Sequence, residues 1–435
     1  MIFLGLAVGL SIASIGPLAA LVVIGLAALP ICIKYRRYPV YLFMLSSFFS
    51  GANINTGPFI IGLDDVGVLL LVAVWLISRL SSSGKIYTPV GFGWLMLYAG
   101  LGFLSLVNGV SPDGYYGIYI RLLSRIIALF AFVDLVREEA LIVKCLYCLG
   151  ASAIIHTIIA FSFDQSTGDR FGGLIDQPNL LGTTLSLGLI PLVSLSQIQR
   201  SVLTKLFSFT AVVLIAIAII LTGSRGVYLA LIPALVWSAR RYPSRIILIG
   251  ILGALSLFSA KEYSEKQVQS IERRLQFRDV STGKRANVID IATRLTMKFP
   301  LLGIGFGQIS HAYKAINVEY DRGRTAHSFL VGIAASMGLP ALFAMVMFLW
   351  NQVRGVLSHR RWLLRHIQSD SSKRWLSEQA LTLVVFQFLS LLTRSAQMFD
   401  WAIFALISAL VCIMIQTEAS ASQGEVEGSG GLSSS

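Results

Sequence analysis

The chain has 435 residues, of which 55% are hydrophobic and 13% charged, and its mean hydropathy is +0.74. This composition excludes a water-soluble globular protein and predicts a polytopic membrane protein. The net charge of +13 does not call for a nucleic-acid partner, because the basic residues form short clusters between apolar runs, as membrane topology requires. Four cysteines in apolar surroundings exclude a disulfide scaffold.

Apolar runs of about 20 residues, the length that crosses a bilayer, recur along the whole chain. They predict an all-α fold, a transmembrane bundle of about 12–14 helices that lies in the bilayer. The run 2–15 is ambiguous, because Gly16-Pro17 could separate it from the next run as a helical hairpin. The other runs fall near 17–33, 38–52, 63–78, 90–107, 115–135, 141–163, 178–196, 205–222, 227–238, 246–258, 328–350, 378–393 and 398–415.

Alternate connections are rich in Lys and Arg, which places them in the cytoplasm. Those near 34–37, 79–85, 137–144, 200–205, 240–245 and 351–377 agree in phase, whereas 53–62 and 108–114 carry no Lys or Arg. The pattern places a large loop on the outer side of the membrane and the C-terminus in the cytoplasm. All four cysteines then lie near cytoplasmic helix ends, and Cys145 and Cys148 are expected to be buried rather than half of a zinc site.

These phases divide the chain into four parts: N-terminal transmembrane helices (1–258), a large outer loop with short helices (259–326), C-terminal transmembrane helices (327–415) and a disordered cytoplasmic tail (416–435). The loop carries twelve Lys and Arg residues, which points to an anionic partner. Within it we expect a surface helix over 262–278, a second helix over 285–298 stopped by Pro300, and a third after Gly307.

Three arginines within or beside apolar runs are candidate anion ligands. Arg225 lies in a short outer turn, where it could bind phosphate or extend to lipid headgroups, and the sequence does not separate the two. Arg121 and Arg125 lie one helical turn apart and must share an interior face. Such a pair can bind a pyrophosphate or can pair with carboxylates elsewhere in the bundle, and we favour the pyrophosphate.

Other candidates are a histidine, a glycine repeat and an acidic pair. His327 stands where the outer loop meets the next span and could act as a general base, or it could only anchor the helix, which spacing alone favours; His311 is a weaker candidate. Gly305 and Gly307 could bring backbone amides to a phosphate or form a simple turn. Asp64-Asp65 could hold a divalent metal, but a helix N-cap is favoured.

Together these segments resemble the O-antigen ligase and polysaccharide polymerase superfamily of bacterial membrane glycosyltransferases. The resemblance covers about residues 165–350. It is carried by Arg170-Phe171-Gly172-Gly173 with Pro178-Asn179; by Thr222-Gly223-Ser224-Arg225-Gly226; by Arg285 followed by Phe299-Pro300-Leu301-Leu302-Gly303-Ile304-Gly305-Phe306-Gly307; and by Ala326-His327-Ser328-Phe329-Leu330 with Met337-Gly338-Leu339.

The resemblance implies a lipid-dependent, GT-C-like glycosyltransferase fold in the bacterial inner membrane, with the large outer loop in the periplasm. It also implies a glycan donor on undecaprenyl pyrophosphate. It implies that His327 is the general base on the acceptor hydroxyl and that Arg225 and Arg285 hold the pyrophosphate, with inversion at the anomeric carbon and no metal or other cofactor. Arg170, Asn179, Arg324, Gly305 and Gly307 join Arg121 and Arg125 as candidate substrate-binding residues. The expected partners are the donor, a glycan or lipid-linked acceptor, and other polysaccharide export or chain-length proteins.

Two positions depart from the family pattern, and the acceptor remains open. The family usually has a tryptophan shortly after the arginine matched by Arg285, where this chain has Val288-Ile289, and asparagine often follows the histidine, where this chain has Ser328. A polysaccharide polymerase is slightly preferred over an O-antigen ligase. A transporter of lipid-linked glycans is the alternative of another class, although the chain has no convincing internal repeat.

Overall fold

A computed structural model describes residues 17–47, 53–55, 60–82, 84–109, 115–162, 171–172, 177–198, 201–239, 250, 280–309, 328–366, 371–393 and 398–430. Fourteen α-helices lie in these ranges, so the predicted all-α class is confirmed. They are α1 Pro17–Lys34, α2 Tyr38–Ser46, α3 Leu63–Leu80, α4 Phe92–Ser105, α5 Tyr115–Leu135, α6 Glu139–Ser162, α7 Pro178–Ile198, α8 Val202–Leu221, α9 Arg225–Ala239, α10 Val280–Lys298, α11 Phe329–Met337, α12 Leu339–His366, α13 Ser371–Thr393 and α14 Met398–Gly430.

Six of these helices are long and apolar enough to cross a membrane: α6, α7, α8, α12, α13 and α14. Helices α1, α4 and α9 are apolar but contribute shorter segments among the described residues. Helices α3 and α5 have 18 and 21 residues, lengths that also suit a span, but each carries three charged residues. Those charges pair between the two helices, as described below, which lowers the cost of placing them in a bundle.

The helices alternate in direction, so their ends fall into two groups. Gly67 of α3 packs on Ser46, and the α6–α7 contacts Gly150–Leu192 and Gly188–Ala153 run in antiparallel register. These contacts and the short connections place the first residues of α3, α5, α7 and α9 at one end of the bundle. We call this end the motif end, because the family-like segments 178–179 and 222–226 lie there, and we call the other the opposite end.

The core is one apolar cluster that runs through the helices, with Leu71, Leu129, Phe348, Phe386 and Phe404 among its fully buried side chains. Small residues let two helices approach closely: a Cβ on Gly150 would lie 2.7 Å from the Leu192 side chain. A second, smaller cluster joins α10 to α11, around Ala292 and Ala335. It attaches the helix of the large loop to the bundle.

Several predicted boundaries are wrong. The apolar run 38–52 forms a helix only as far as Ser46. The connection that follows contains a short antiparallel hairpin of β1 (Asn53–Asn55) and β2 (Ile60–Gly62). The run 328–350 is two helices separated at Gly338, whose φ of +86° a residue with a side chain rarely adopts. The predicted cytoplasmic loop from 351 is the continuation of α12 as far as His366.

The tail is also helical where the sequence predicts disorder from residue 416: α14 continues to Gly430. A side-chain contact explains its first part, because His359 Nδ1 of α12 lies 2.8 Å from Glu418 Oε1. In the large loop, the predicted second helix is confirmed as α10, which ends at Lys298 before Pro300. The ambiguous run 2–15, the expected surface helix 262–278 and the expected third helix of the loop lie outside the described residues.

Candidate functional site

The segments Pro178-Asn179 and Thr222–Gly226 meet at the motif end. Asn179 lies in the first turn of α7, and Ser224 is the last residue of the turn between α8 and α9. The Ser224 hydroxyl donates a 2.8 Å hydrogen bond to Asn179 Oδ1, and Ser224 is only 2% exposed. A Cβ on Gly182 would lie 2.9 Å from Thr222 Oγ1, so the helices are also in close contact one turn further along. We call this contact the α7–α9 junction.

Arg225 is positioned by this junction, as the first residue of α9. The Ser224 carbonyl accepts hydrogen bonds from the amides of Val227 and Tyr228, which starts the helix directly at Arg225. Gly223 has a φ of +58°, a conformation that allows the tight reversal from α8 into α9. The Arg225 side chain is half-buried and adjoins the helix N-terminus, where the helix dipole and the guanidinium both favour an anion.

Residues 299–309, which we call the glycine loop, pack against the break between α11 and α12. Backbone hydrogen bonds join Ile304 N to Ala335 O (3.1 Å), Gly305 N to Ser336 O (3.0 Å) and Leu339 N to Pro300 O (2.8 Å). Gly303 has a φ of +65°, and a Cβ there would overlap the backbone of Ser336 and Met337. The family-like segments 299–307 and 337–339 are therefore held together by their backbones.

The expected phosphate cradle at Gly305 and Gly307 remains a prediction, although the fold already uses most of the amides around Gly305. The amides of Gly303, Ile304, Gly305 and Gln308 donate to backbone carbonyls, and the amide of Phe306 donates to the Ser105 hydroxyl at 3.1 Å. A donor that is already hydrogen-bonded within the fold cannot serve a phosphate without losing that bond. The positive φ angles of Gly303, Gly305 and Gly307 fit the simple turn that the sequence left open as the alternative.

Arg121 and Arg125 face two carboxylates, so the preferred prediction of a free pyrophosphate clamp is not supported by their contacts. Arg125 is 1% exposed, and its Nη2 lies 2.5 Å from both Asp64 Oδ2 and Asp65 Oδ1. Arg121 Nη2 lies 2.6 Å from Asp65 Oδ2. The carboxylate partner that the sequence allowed as an alternative is the one present. We call these four residues the acid–arginine cluster.

The acidic pair itself acts at the start of α3. The N-cap residue of α3 is Gly62, and Asp65, three residues later, accepts a 2.8 Å hydrogen bond from Gly62 N at its Oδ2. The pair therefore caps the start of the helix, as the sequence favoured, but from inside the first turn. Asp64 is 2% exposed and is engaged by Arg125. Among the described residues there is no group of three or more His, Cys, Asp or Glu that could hold a metal ion.

Arg285 lies in α10, two helical turns before Ala292. Ala292 and its neighbours Ile291 and Leu295 are buried against α11 and the glycine loop. Because seven residues are close to two full turns, the backbone register places Arg285 on the helix face that carries Ala292. By backbone position, Arg285 therefore shares the face of α10 that carries Ala292, two turns closer to the start of the helix.

Three predicted site residues lie outside the described residues: Arg170, Arg324 and His327. Their neighbours in the chain are described. Phe171, next to Arg170, is 4% exposed and packs on Phe161 at the end of α6. Ser328, next to His327, is 7% exposed and is the N-cap residue of α11.

Sequence reasoning missed the residues that hold the glycine loop on α4. Asn108 Nδ2 donates to Gly303 O at 3.1 Å, the Ser105 hydroxyl accepts from Phe306 N, and the Phe306 ring packs edge-on against Tyr119 of α5. The absence of Lys and Arg in 108–114 marked this connection as an outer one, but no local pattern marks Ser105 and Asn108 as partners of a loop some 200 positions away. These contacts place the glycine loop at the motif end.

Comparison with known proteins supports the family that the motifs suggest. Residues 210–346 match the family model described as O-antigen ligase. The predicted resemblance to the O-antigen ligase and polymerase superfamily is thereby confirmed. The match runs from within α8, through Arg225, Arg285 and the glycine loop, to α12, and so includes three of the four segments that carry the resemblance. No curated protein matches the chain significantly.

With these helices, the chain is a multi-pass helical membrane protein, and its residues 210–346 are similar to the O-antigen ligase family. The buried thiols agree with the expectation for the cysteines: Cys32, Cys145 and Cys412 are buried and Cys148 is half-buried, all as free thiols.

Proposed function

We propose that the protein transfers a glycan from undecaprenyl pyrophosphate to a sugar hydroxyl at the motif end, on the outer side of the bacterial inner membrane, as a polysaccharide polymerase. The observation that carries the proposal is the O-antigen ligase match over residues 210–346, which includes Arg225, Arg285 and His327. The reaction needs no nucleotide, because the lipid diphosphate is already a good leaving group. It also needs no metal if the arginines neutralise that group.

In the proposed reaction the acceptor oxygen forms a bond to the anomeric carbon from the side opposite the diphosphate, and the configuration inverts. The bond between the anomeric carbon and the diphosphate oxygen breaks, and its electron pair leaves with undecaprenyl pyrophosphate. His327 takes the proton of the acceptor hydroxyl as a general base and afterwards releases it to water. Arg225 and Arg285 stabilise the negative charge that develops on the leaving group.

The α7–α9 junction supports a binding role for Arg225. When the first turn of α9 is fixed, the backbone of Arg225 is fixed as well. Less conformational entropy is then lost when its side chain is ordered around the donor. Ser224 and Asn179 supply that fixed start through their 2.8 Å hydrogen bond. The α9 N-terminus adds backbone N–H groups directed at the same place, a combination that suits a diphosphate.

Transfer assays on purified variants test the arginines. We expect Arg225→Ala and Arg285→Ala to abolish transfer, and Arg→Lys at either position to retain only part of it, because lysine supplies a point charge without the planar fork. Arg294→Ala is the matched control for Arg285. It lies on the same helix with a side chain 77% exposed and an ion pair to Asp290 within one turn, so its removal should leave transfer unchanged. Full activity of an alanine variant at 225 or 285 would exclude that arginine from the reaction.

His327→Ala tests the base and separates an enzyme from a transporter. In cells, we expect this variant to lose polymer while the protein level and the export of lipid-linked repeats remain intact. His311→Ala tests the weaker candidate, and we expect it to keep polymer. Repeats that accumulate inside the cell would instead support the transporter alternative.

One reaction separates polymerisation from ligation. The purified protein is given its lipid-linked repeat alone, and the products are separated by size. A ladder of longer lipid-linked glycans supports the polymerase. If no ladder forms but glycan is transferred once a lipid A-core acceptor is added, the protein is an O-antigen ligase that uses the same chemistry on another acceptor.

A further inference from the structure

A cavity of about 290 Å³ opens at the opposite end of the bundle, away from the proposed site. Its walls come from three places that are distant in sequence: the turn between α1 and α2, the end of α3 with the residues after it, and the turn between α5 and α6. Four arginines line it, Arg36, Arg37, Arg79 and Arg137, and the acidic residues on its wall are Asp134 and Glu138.

The charges in this cavity do not balance. Arg79 and Arg137 share one carboxylate, Asp134, which Arg79 binds through two nitrogens and Arg137 Nη2 approaches to 3.0 Å. Arg37 Nη2 pairs with Glu138 Oε2 at 3.1 Å. Arg36 lines the cavity with an exposed side chain and forms no ion pair with a described residue. Four positive charges against two negative ones leave an excess of two.

The cavity is also held rigidly, because Asp134 anchors its wall. This aspartate is 1% exposed and accepts hydrogen bonds from Trp75 Nε1 (2.8 Å) and Tyr87 N (2.9 Å) in addition to those from the arginines. The guanidinium of Arg137 lies 4.3 Å above the Tyr87 ring. Arg79 and Arg137 also donate to backbone carbonyls of residues 84 and 85, so they fix the wall and its charge. Contact with an anion is then left to Arg36 and Arg37 at the rim.

The surroundings of the cavity are those of a membrane surface. Exposed Tyr35 and Tyr38 flank the α1–α2 turn, as aromatic residues do at the boundary of a bilayer, and Leu135 and Leu141 complete the cavity wall. Basic cavities between helix ends at this depth suit the phosphate of an anionic lipid. We propose that the arginine-lined cavity is a binding site for a phosphate group, supplied by the headgroup of an anionic lipid or by free phosphate. This site is separate from the proposed glycosyl-transfer site.

The test uses the full-length protein in nanodiscs of phosphatidylcholine, with and without phosphatidylglycerol, and measures thermal stability and lipids retained in native mass spectrometry. A third sample contains phosphatidylcholine with added inorganic phosphate. The variant is Arg36→Gln, which removes one of the excess charges and leaves the Asp134 contacts intact. Lys34→Gln is the matched control, because it removes the same charge two residues earlier, outside the cavity wall.

We expect phosphatidylglycerol to stabilise the protein, and Arg36→Gln to weaken its retention about fivefold while Lys34→Gln has little effect. Stabilisation by inorganic phosphate that is also lost in Arg36→Gln would assign the site to free phosphate. The proposal is overturned if neither ligand stabilises the protein, or if both variants weaken retention equally, since a diffuse surface charge would explain that result.

Discussion

The variant Arg125→Met removes the hydrogen bond that joins Arg125 Nη2 to Asp64 Oδ2 at 2.5 Å. Asp64 is 2% exposed, and its other nearby guanidinium nitrogen, Arg121 Nη2, lies 3.9 Å away, beyond hydrogen-bond distance. The variant therefore leaves a buried carboxylate largely uncompensated. Removing one partner of a buried ion pair costs about 3–5 kcal/mol, and we expect the free energy of unfolding to fall by that amount.

Arg121→Met is the matched comparison, because it removes the second arginine of the same cluster. Its main partner, Asp65, keeps hydrogen bonds from Arg125 Nη2 at 2.5 Å and from Gly62 N at 2.8 Å. Arg121 is also more exposed, with 16% of its side chain accessible. We expect a loss of about 1.5 kcal/mol, the lower end of the range for a hydrogen bond to a charged group.

Denaturant titration of the purified protein in detergent, followed by tryptophan fluorescence, measures both losses. The double variant Asp64→Asn with Arg125→Met removes the buried charge on both sides and should recover about 2 kcal/mol of the loss seen for Arg125→Met. Equal stability of Arg125→Met and the wild type, or strictly additive losses in the double variant, would refute the reasoning. A double variant that folds but cannot transfer glycan would restore the pyrophosphate role that the sequence favoured.

Three further outcomes are expected. Gly303→Ala should destabilise the protein by more than about 1 kcal/mol, because φ is +65° and the new Cβ would overlap the α11–α12 backbone. The control Gly100→Ala, whose Cβ would meet nothing within 4 Å, should be neutral or slightly stabilising. Unfolding midpoints of the two variants are compared. Ser224→Ala should lower the free energy of unfolding by about 1 kcal/mol, because it removes the hydrogen bond to Asn179 at the α7–α9 junction. It should also slow transfer by more than the loss of folded protein explains, which transfer rates at matched folded fractions would detect. Chelators should leave turnover of the purified enzyme unchanged, and a requirement for added divalent cation would revive Asp64 and Asp65 as ligands.

The elements that were predicted well depend on local properties of the chain. A run of apolar residues, a proline or a positive-φ glycine acts within a few positions, so α7, α8 and the end of α10 before Pro300 follow from the sequence alone. The family-like segments were recognised for the same reason, since each is a short string. Where helices extend beyond the apolar run, as α12 does to His366, hydropathy gives no signal because the extension is polar.

The contacts at the site that the sequence does not reveal join distant segments. Periodicity places Arg121 and Arg125 on one interior face, but it cannot say that the partner on that face is Asp64, 61 positions before Arg125. It likewise cannot say that the amides of the glycine loop are taken up by Ala335, Ser336 and Ser105. A motif shows which residue types are present, whereas their availability to a ligand depends on what the fold has already paired with them.

That availability differs between the two ends of the bundle. At the motif end, the acid–arginine cluster sets two carboxylates against two guanidinium groups, so its net charge is zero and Asp64 and Asp65 do not repel a diphosphate nearby. At the opposite end, Asp134 neutralises only one of the two arginines that contact it, and the cavity there keeps its positive excess. In the proposed function, attraction of the donor would therefore depend on Arg225 and the other motif arginines, while the paired charges of α3 and α5 join those two helices at the motif end.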